Sequence, residues 1–245
     1  RSGTRNSMPL FNLAWKDKFF WDGRADSLRA QVTMPIESHL ELDESLDKVV
    51  AKLDSETTYR LAFNKAFSSP EVTTEKIALA LESFLLTLTS YDSKFDRAMA
   101  GKTELSKEEK RGLELFMTEY EPRSRQFGAD CFHCHGGALF SDHDFHNNGL
   151  EPLAEDDGIG GGRFSTPSLR NVALTAPYMH DGRFTSLEQV ISHYNSGLHR
   201  SGNLDPNLAK HPKGGLGLNK SDEAALVAFL KTLTDPKYGE DREVP

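Results

Sequence analysis

Two cysteines close together, with a histidine directly after the second, constrain this chain more than any other feature. The segment "GADCFHCHGG" (Gly128–Gly137) holds Cys131, Cys134 and His135, and the chain has no other cysteine. A pair this close cannot staple distant parts of a fold, so it marks a local site. Three chemistries compete for the spacing. A structural zinc takes four protein ligands, and would have to add His135, His143 or His146, of which the last two stand too close for the usual zinc-finger spacing. A thioredoxin-like dithiol belongs in a βαβ setting, whereas these surroundings read as helix and loop. Covalent haem c uses the pattern directly: two thiols add to the porphyrin vinyl groups, and the adjacent imidazole reaches the iron. Haem c is the first reading, with zinc and dithiol left open.

A site of this kind needs a core around it. The chain has 245 residues, enough for one large domain or two of ordinary size, and a chain of this length buries about 70–75% of its unfolded surface. Its net charge of −8 argues against nucleic acid or an anionic membrane surface as partner. The longest apolar helix candidate, 77–88, is interrupted by Glu82, Ser83 and Thr87, which excludes it as a membrane span. The opening "RSGTRNSMPL" has no apolar signal region, so it reads as a mature protein or a fragment. Maturation of c-type haem takes place outside the cytoplasmic membrane, so the expected location is periplasmic, the signal having been removed.

The pattern is mainly α. Helices are expected near Ser27–Met34, over Ser45–Asp54 and over Thr58–Phe67. Ile77, Leu81, Phe84, Leu85 and Leu88 make one apolar stripe on a further helix. Ser106 and Glu109 form a capping box, with Leu113, Phe116 and Met117 on one face behind it. Residues 136–177 lack periodicity and read as a long loop, of the kind that wraps a functional group. Thr185 and Glu188 are expected to cap the next helix, and Leu226, Phe229, Leu230 and Leu233 to face inward from the last, which Pro236 stops. No convincing strand and no internal repeat is apparent. The domain boundary is expected near residues 91–104.

Three blocks, "RNSMPLFNLAWKDKFFWDGRADSLRAQ", "CFHCHGGALFSDHDFHNNGL" and "RFSTPSLRNVALTAPYMHDGRFTSLEQVISHYNSG", closely resemble the bacterial di-haem cytochrome c peroxidase family, which includes MauG-type enzymes. The resemblance covers nearly the whole chain. It implies two cytochrome c-like helical domains with long loops wrapping haem, here 1–100 and 101–245. It also implies hydrogen peroxide as substrate, a small electron-donor protein (a cytochrome c or a cupredoxin), a calcium ion between the domains, and room for a homodimer. One departure is plain. The family's first CxxCH lies upstream of the "FWDGR" block and is missing here, so residues 1–100 read as the remnant of a peroxide-site domain. This chain can anchor one haem c covalently, and a second is expected in the full-length protein. Truncation, proteolysis and a natural single-haem relative all remain open.

Residue by residue, the resemblance implies the following. Trp21 matches the inter-haem tryptophan, though composition alone would make it a core aromatic. Glu41 matches the peroxide acid/base, with Glu37 and Glu44 as neighbours, and a carboxyl there can carry a proton between the peroxide oxygens. Gln31 faces the peroxide site. His135 is the proximal iron ligand. Fourteen residues beyond His180, where peroxidases carry Met, stands Tyr194, as in MauG-type proteins. A phenolate favours the oxidised metal and lowers its potential. Met179 and His193 are rival ligands. His180, Arg163 and Arg170 are expected near haem propionates. Asn6, Thr175 and Pro177 fall at the calcium site, offering the hard oxygens that ion takes. Three function classes follow: a peroxidase, a MauG-like oxidase acting on a protein or small molecule, and a single-haem electron carrier.

Overall fold

The computed structural model describes residues 3–150, 156–212 and 214–239. The chain forms two compact units. One is built on Leu10–Thr89, the other on Arg5–Pro9 together with Ser90 onward. The described residues are mainly helical, with four two-residue strands in two antiparallel pairs.

In the first unit, Ser27 caps α1 (Leu28–Gln31), its hydroxyl accepting from the Ala30 amide. The segment expected near Ser27–Met34 ends at Gln31, and Pro35 sits in the first turn of α2 (Met34–Glu37), where a missing N–H costs nothing. Then come α3 (Leu46–Ser55), α4 (Thr57–Phe67) and α5 (Thr74–Leu86). The apolar stripe on α5 is split. Ile77 and Ala78 are buried, whereas Leu81 and Phe84 are open at 37% and 59% exposure. Leu13, Phe19, Ala25, Leu28, Val32 and Ala78 make one small core, and Phe63, Val72 and Ile77 another.

The second unit holds one larger core. Helix α6 (Lys94–Met99) precedes α7 (Lys107–Met117), which opens with the expected box: Ser106 Oγ accepts from the Glu109 amide at 3.2 Å, and Glu109 accepts from the Ser106 amide at 2.6 Å. The buried face of α7 is Gly112, Leu115 and Phe116, while Met117 points outward at 53% exposure. Strands β1 (Tyr120–Glu121) and β2 (Gln126–Phe127) form a short hairpin before the cysteines. The long loop contains β3 (Phe145–His146) paired with β4 (Phe164–Ser165). Helix α8 (Leu187–Ser196) is capped one residue later than expected, by Ser186 and Gln189, because the Gln189 side chain reaches back to the Ser186 amide at 3.3 Å. After α9 (Pro206–Ala209), α10 (Lys220–Lys231) packs across α7. Leu226, Phe229 and Leu233 are fully buried and Leu230 nearly so. The helix ends at Lys231, before Pro236 is reached, as Thr232 closes its last turn. At the α7–α10 crossing only glycine fits: a Cβ on Gly112 would lie 1.9 Å from the Ala225 carbonyl oxygen.

The chain also carries an internal repeat where none was expected, and identical residues at one constant spacing mark it in the sequence. Asn12 and Asn171 are both buried, both left-handed at φ 58°, and both precede a single 3₁₀ turn. Phe19 bridges Ala25 as Tyr178 bridges Phe184. Phe20 and Met179 occupy left-handed corners, and Gly23 and Gly182 follow at φ 68° and 73°. Asp22 pairs with Arg24 as Asp181 pairs with Arg183. Ser27 and Ser186 then cap the helices that bury Leu28 and Leu187. The same turn-to-helix device appears once in each unit.

Candidate haem site

The cysteine motif sits on a 3₁₀ turn, Cys131–His133, entered from a left-handed Asp130. The His135 amide closes onto the Cys131 carbonyl at 2.8 Å. Cys131 and Cys134 are free thiols. Burial, with Asp130 beside Cys131 and Asp205 and Asp142 beside Cys134, pushes both up to about 12.

His135 is prepared as a ligand. Its Nδ1 lies 3.0 Å from the Phe140 carbonyl. A carbonyl only accepts, so the proton belongs on Nδ1 and Nε2 keeps its lone pair. Burial lowers the imidazole's affinity for a second proton, which keeps it neutral. Tyr194, on α8, is also half-buried. Burial pushes its hydroxyl up, the Asn148 side chain opposes that shift, and both cysteines lie close enough to interact with it. Cys131, Cys134, His135 and Tyr194 all retain part of their surface while being strongly desolvated. Cys131 and Tyr194 pack against the same core as Phe132, Leu169, Tyr178 and Leu218, and both thiols lie close enough to Tyr194 to act on it. Two thiols, one neutral imidazole and a phenol on an apolar core make a donor set that fits a covalent haem.

Zinc fits less well. The ligand atoms of Cys134, Asp142 and His146 do lie within 4.8 Å of one another. Both nitrogens of His146, however, are engaged by carboxylates, Asp205 at 2.6 Å and Asp142 at 2.8 Å. These partners, Asp205 first, raise His146 to about 9, so the ring is a cation at neutral pH, and a metal ligand must be neutral. A second cluster, Glu119, Asp130 and His133, is already served by the Lys210 ammonium, 2.9 Å from Asp130 and 3.1 Å from Glu119.

The other expected residues fall as follows. His180 is buried and stacks flat on Phe164, ring centres 3.7 Å apart. Arg170 was expected at a propionate, but its guanidinium is engaged within the protein. It donates to both Asp96 oxygens at 2.8 and 3.0 Å and to the Ala138 carbonyl at 2.7 Å. Arg163 is exposed, its Nε bonding the Gly160 carbonyl of its own loop. His193 directs Nε2 to the Asn148 carbonyl at 3.1 Å, which removes it as a rival ligand through that nitrogen. Asn6 and Pro177 are brought together, the Asn6 amide donating to the Pro177 carbonyl at 2.6 Å. Thr175 bonds the Val172 carbonyl of its own turn. In the first unit Trp21 is buried, Gln31 ends α1 half-buried, and Glu41 is exposed on a turn closed by its amide to the Ser38 carbonyl. The residue missed from sequence was Asn148, which carries no motif signal of its own.

A sequence profile described as "Di-haem cytochrome c peroxidase" matches residues 1–104. Methylamine utilization protein MauG of Methylorubrum extorquens is 37% identical over 243 residues, covering 94% of this chain and 64% of that protein. MauG of Methylophilus methylotrophus is 33% identical, covering 95% and 68%. The chain belongs to the di-haem cytochrome c peroxidase/MauG family. Cytochrome c551 peroxidase of Nitrosomonas europaea is 32% identical, covering 96% of this chain and 66% of that protein. A MauG-like protein associated with microbial copper homeostasis superposes with a TM-score of 0.80 at 29% identity, covering 96% of this chain and 76% of that one. The chain thus spans about two thirds of the length of these curated relatives. The family implies haem c, in keeping with the Cys131/Cys134 donor set. No helix among the described residues is long and apolar enough to cross a membrane.

Proposed function

We propose that this protein is a periplasmic c-type haem oxidoreductase that reduces hydrogen peroxide to water, taking two electrons and two protons per peroxide from a small redox protein and solvent. The observation that carries the reading is the donor set: His135 is held by the Phe140 carbonyl with its Nε2 lone pair available, next to two thiols that lie close to the Tyr194 phenol on the core. A bound haem supplies a redox-active iron there. Cys131 and Cys134 tether it, His135 ligates it, and Tyr194 offers a hard oxygen as second donor. A second haem, expected in the full-length protein, would supply the peroxide-reacting iron; there Glu41 would move a proton between the peroxide oxygens, Gln31 would offer a hydrogen bond to the substrate, and Trp21 would pass an electron. His180 orders the wall by stacking on Phe164. Calcium is assigned to the Asn6 side-chain oxygen and the Thr175 and Pro177 carbonyls. To admit the ion, the 2.6 Å Asn6–Pro177 contact opens and the amide turns its oxygen inward.

The test is steady peroxide consumption by the haem-loaded protein with a reduced cytochrome c or cupredoxin. Glu41→Gln is expected to slow turnover by about 10²–10⁴-fold, the usual worth of a general acid–base. No consumption by the wild type, or full activity in the variant, refutes the reading. Tyr194 favours a second reading, MauG-like oxidation of a protein or small molecule. Under it, peroxide disappears at a rate set by an organic partner, and a modified partner appears by mass spectrometry.

A further inference from the structure

Three consecutive residues late in the long loop hold three consecutive carbonyls near its start. Arg170 Nε donates to the Ala138 carbonyl at 2.7 Å, Ser168 Oγ to the Leu139 carbonyl at 2.6 Å, and the Leu169 amide to the Phe140 carbonyl at 3.3 Å. The last of these oxygens is the one that His135 Nδ1 meets at 3.0 Å. Phe140 is itself a left-handed corner at φ 52°, a conformation that a bulky residue adopts only where its surroundings impose it. On both sides of that corner the peptide planes are pinned at each edge. The Leu139–Phe140 plane is held at its oxygen by Ser168 and at its nitrogen by the Phe140 amide, which donates to the Gly137 carbonyl at 3.2 Å. The Phe140–Ser141 plane is held at its oxygen by Leu169 and at its nitrogen by the Ser141 amide, which donates to the Gly136 carbonyl at 3.1 Å. The Phe140 ring stands edge-on to Phe95 at 5.3 Å and to Phe116 at 6.0 Å.

The Ser168 hydroxyl uses both of its capacities here. It donates to Leu139 and accepts from the Arg170 amide at 3.2 Å. Its loss frees one edge of the plane that precedes the corner, and rotation of that plane is the route by which Phe140 relaxes out of the left-handed region. The Phe140 carbonyl then turns away from His135. The torsion that swings an imidazole about its Cβ–Cγ bond is broad, so a carbonyl fixed in space is what selects the ring's orientation and keeps the proton on Nδ1. Such a partner also makes the ring a stronger donor, which favours the oxidised metal.

We propose that Ser168 is a positioning residue for the iron ligand: by holding the Leu139 carbonyl it fixes the Phe140 corner and, through the Phe140 carbonyl, the orientation of the His135 imidazole. This rests on the reading of His135 as the proximal ligand.

The experiment uses the haem-loaded protein, with haem content checked by pyridine haemochrome. It measures the midpoint potential and, by proton NMR, the solvent exchange of the hyperfine-shifted His135 Nδ1–H. Ser168→Ala is expected to speed that exchange and to raise the potential. Partners of metal-bound histidines are worth about 10–100-fold, and a tenfold loss of preference for the oxidised iron corresponds to about 59 mV for a one-electron couple. Ser168→Thr, which keeps the hydroxyl, should retain the wild-type values, and Ser168→Val, of the same shape without it, should behave as the alanine variant does. That pair carries the test should the alanine variant fail to take up haem. Ser141→Ala is the structural control. Its hydroxyl ties the same two segments together by donating to the Thr166 carbonyl at 2.9 Å, away from the three carbonyls, so both readouts should stay at the wild-type values. Unchanged exchange and potential in a loaded Ser168→Ala or Ser168→Val variant overturns the proposal. So does an equal shift in Ser168→Thr or Ser141→Ala. If the wild-type spectrum shows no coordinated imidazole, the ligand reading falls and this inference with it. If it shows one while the Ser168 variants change nothing, only the inference falls.

Discussion

Replacing Gly112 by alanine should destabilise the second unit, although the same exchange in an open helix would stabilise it. Alanine gains about 1 kcal/mol over glycine in a helix interior. Against that, the added carbon would lie 1.9 Å from the Ala225 oxygen, 2.6 Å from its carbonyl carbon and 2.7 Å from Phe229 Cβ. Ordinary contacts between such atoms lie near 3.5 Å, so the helices must part by more than about 1 Å. The crossing has no slack, since Leu115, Phe116, Leu226 and Phe229 are all 2% exposed or less. Overpacking of a well-filled core costs about 1–3 kcal/mol, at the upper end where backbone must move. The net expectation is a loss of about 1–2 kcal/mol. Urea unfolding followed at the haem absorption reports the unit that holds Cys131 and Cys134. Fluorescence serves as an internal control, because the only tryptophans, Trp15 and Trp21, lie in the first unit. A midpoint at or above the wild-type value would refute the close-crossing argument.

Two further outcomes test the second unit. His146, raised to about 9 chiefly by Asp205 and Asp142, stabilises the fold fully below its unfolded value near 6.5 and loses that contribution as pH rises through 9. At about 1.4 kcal/mol per unit the ceiling is about 3 kcal/mol. His146→Asn should flatten the stability profile between pH 6.5 and 9, and an unchanged slope there counts against the clasp. Arg170→Leu leaves the half-buried Asp96 carboxylate without its fork and should cost about 2–4 kcal/mol, less than a fully buried pair because Asp96 keeps 20% of its surface. Asp96→Asn/Arg170→Leu should cost less than the two single losses together. A change in the haem spectrum without loss of stability would instead return Arg170 to the cofactor.

What the sequence made legible was local and periodic. The Ser106–Glu109 box and the inner face of α10 were readable because three- and four-residue spacings are the helix's own geometry. The haem motif was readable because its chemistry requires adjacency in the chain. What escaped depended on long-range partners. Arg170 looks like an anion-binding residue until Asp96, far away in sequence, takes its guanidinium. Asn148 acquires contacts only from far along the chain, its amide bonding the Met179 sulfur and its carbonyl meeting His193. The repeat was legible after all, though spread thin: Asn12, Asp22-Gly23-Arg24 and Ser27-Leu28 recur as Asn171, Asp181-Gly182-Arg183 and Ser186-Leu187, while the left-handed corners differ as Phe20 and Met179. The apolar spacing on α5 gave its helix but not its faces, since Leu81 and Phe84 fall on the open side.

The duplicated turn also separates two endings. Counting onward from the paired leucines, Leu187 leads along one uninterrupted helix to Tyr194. From Leu28 the same count arrives at Pro35, after α1 has already closed at Gln31. A pyrrolidine ring has no lone pair to lend a metal. Of two matching turns, one therefore leads at that count to a phenolic oxygen that a metal can use, and the other to bare hydrocarbon.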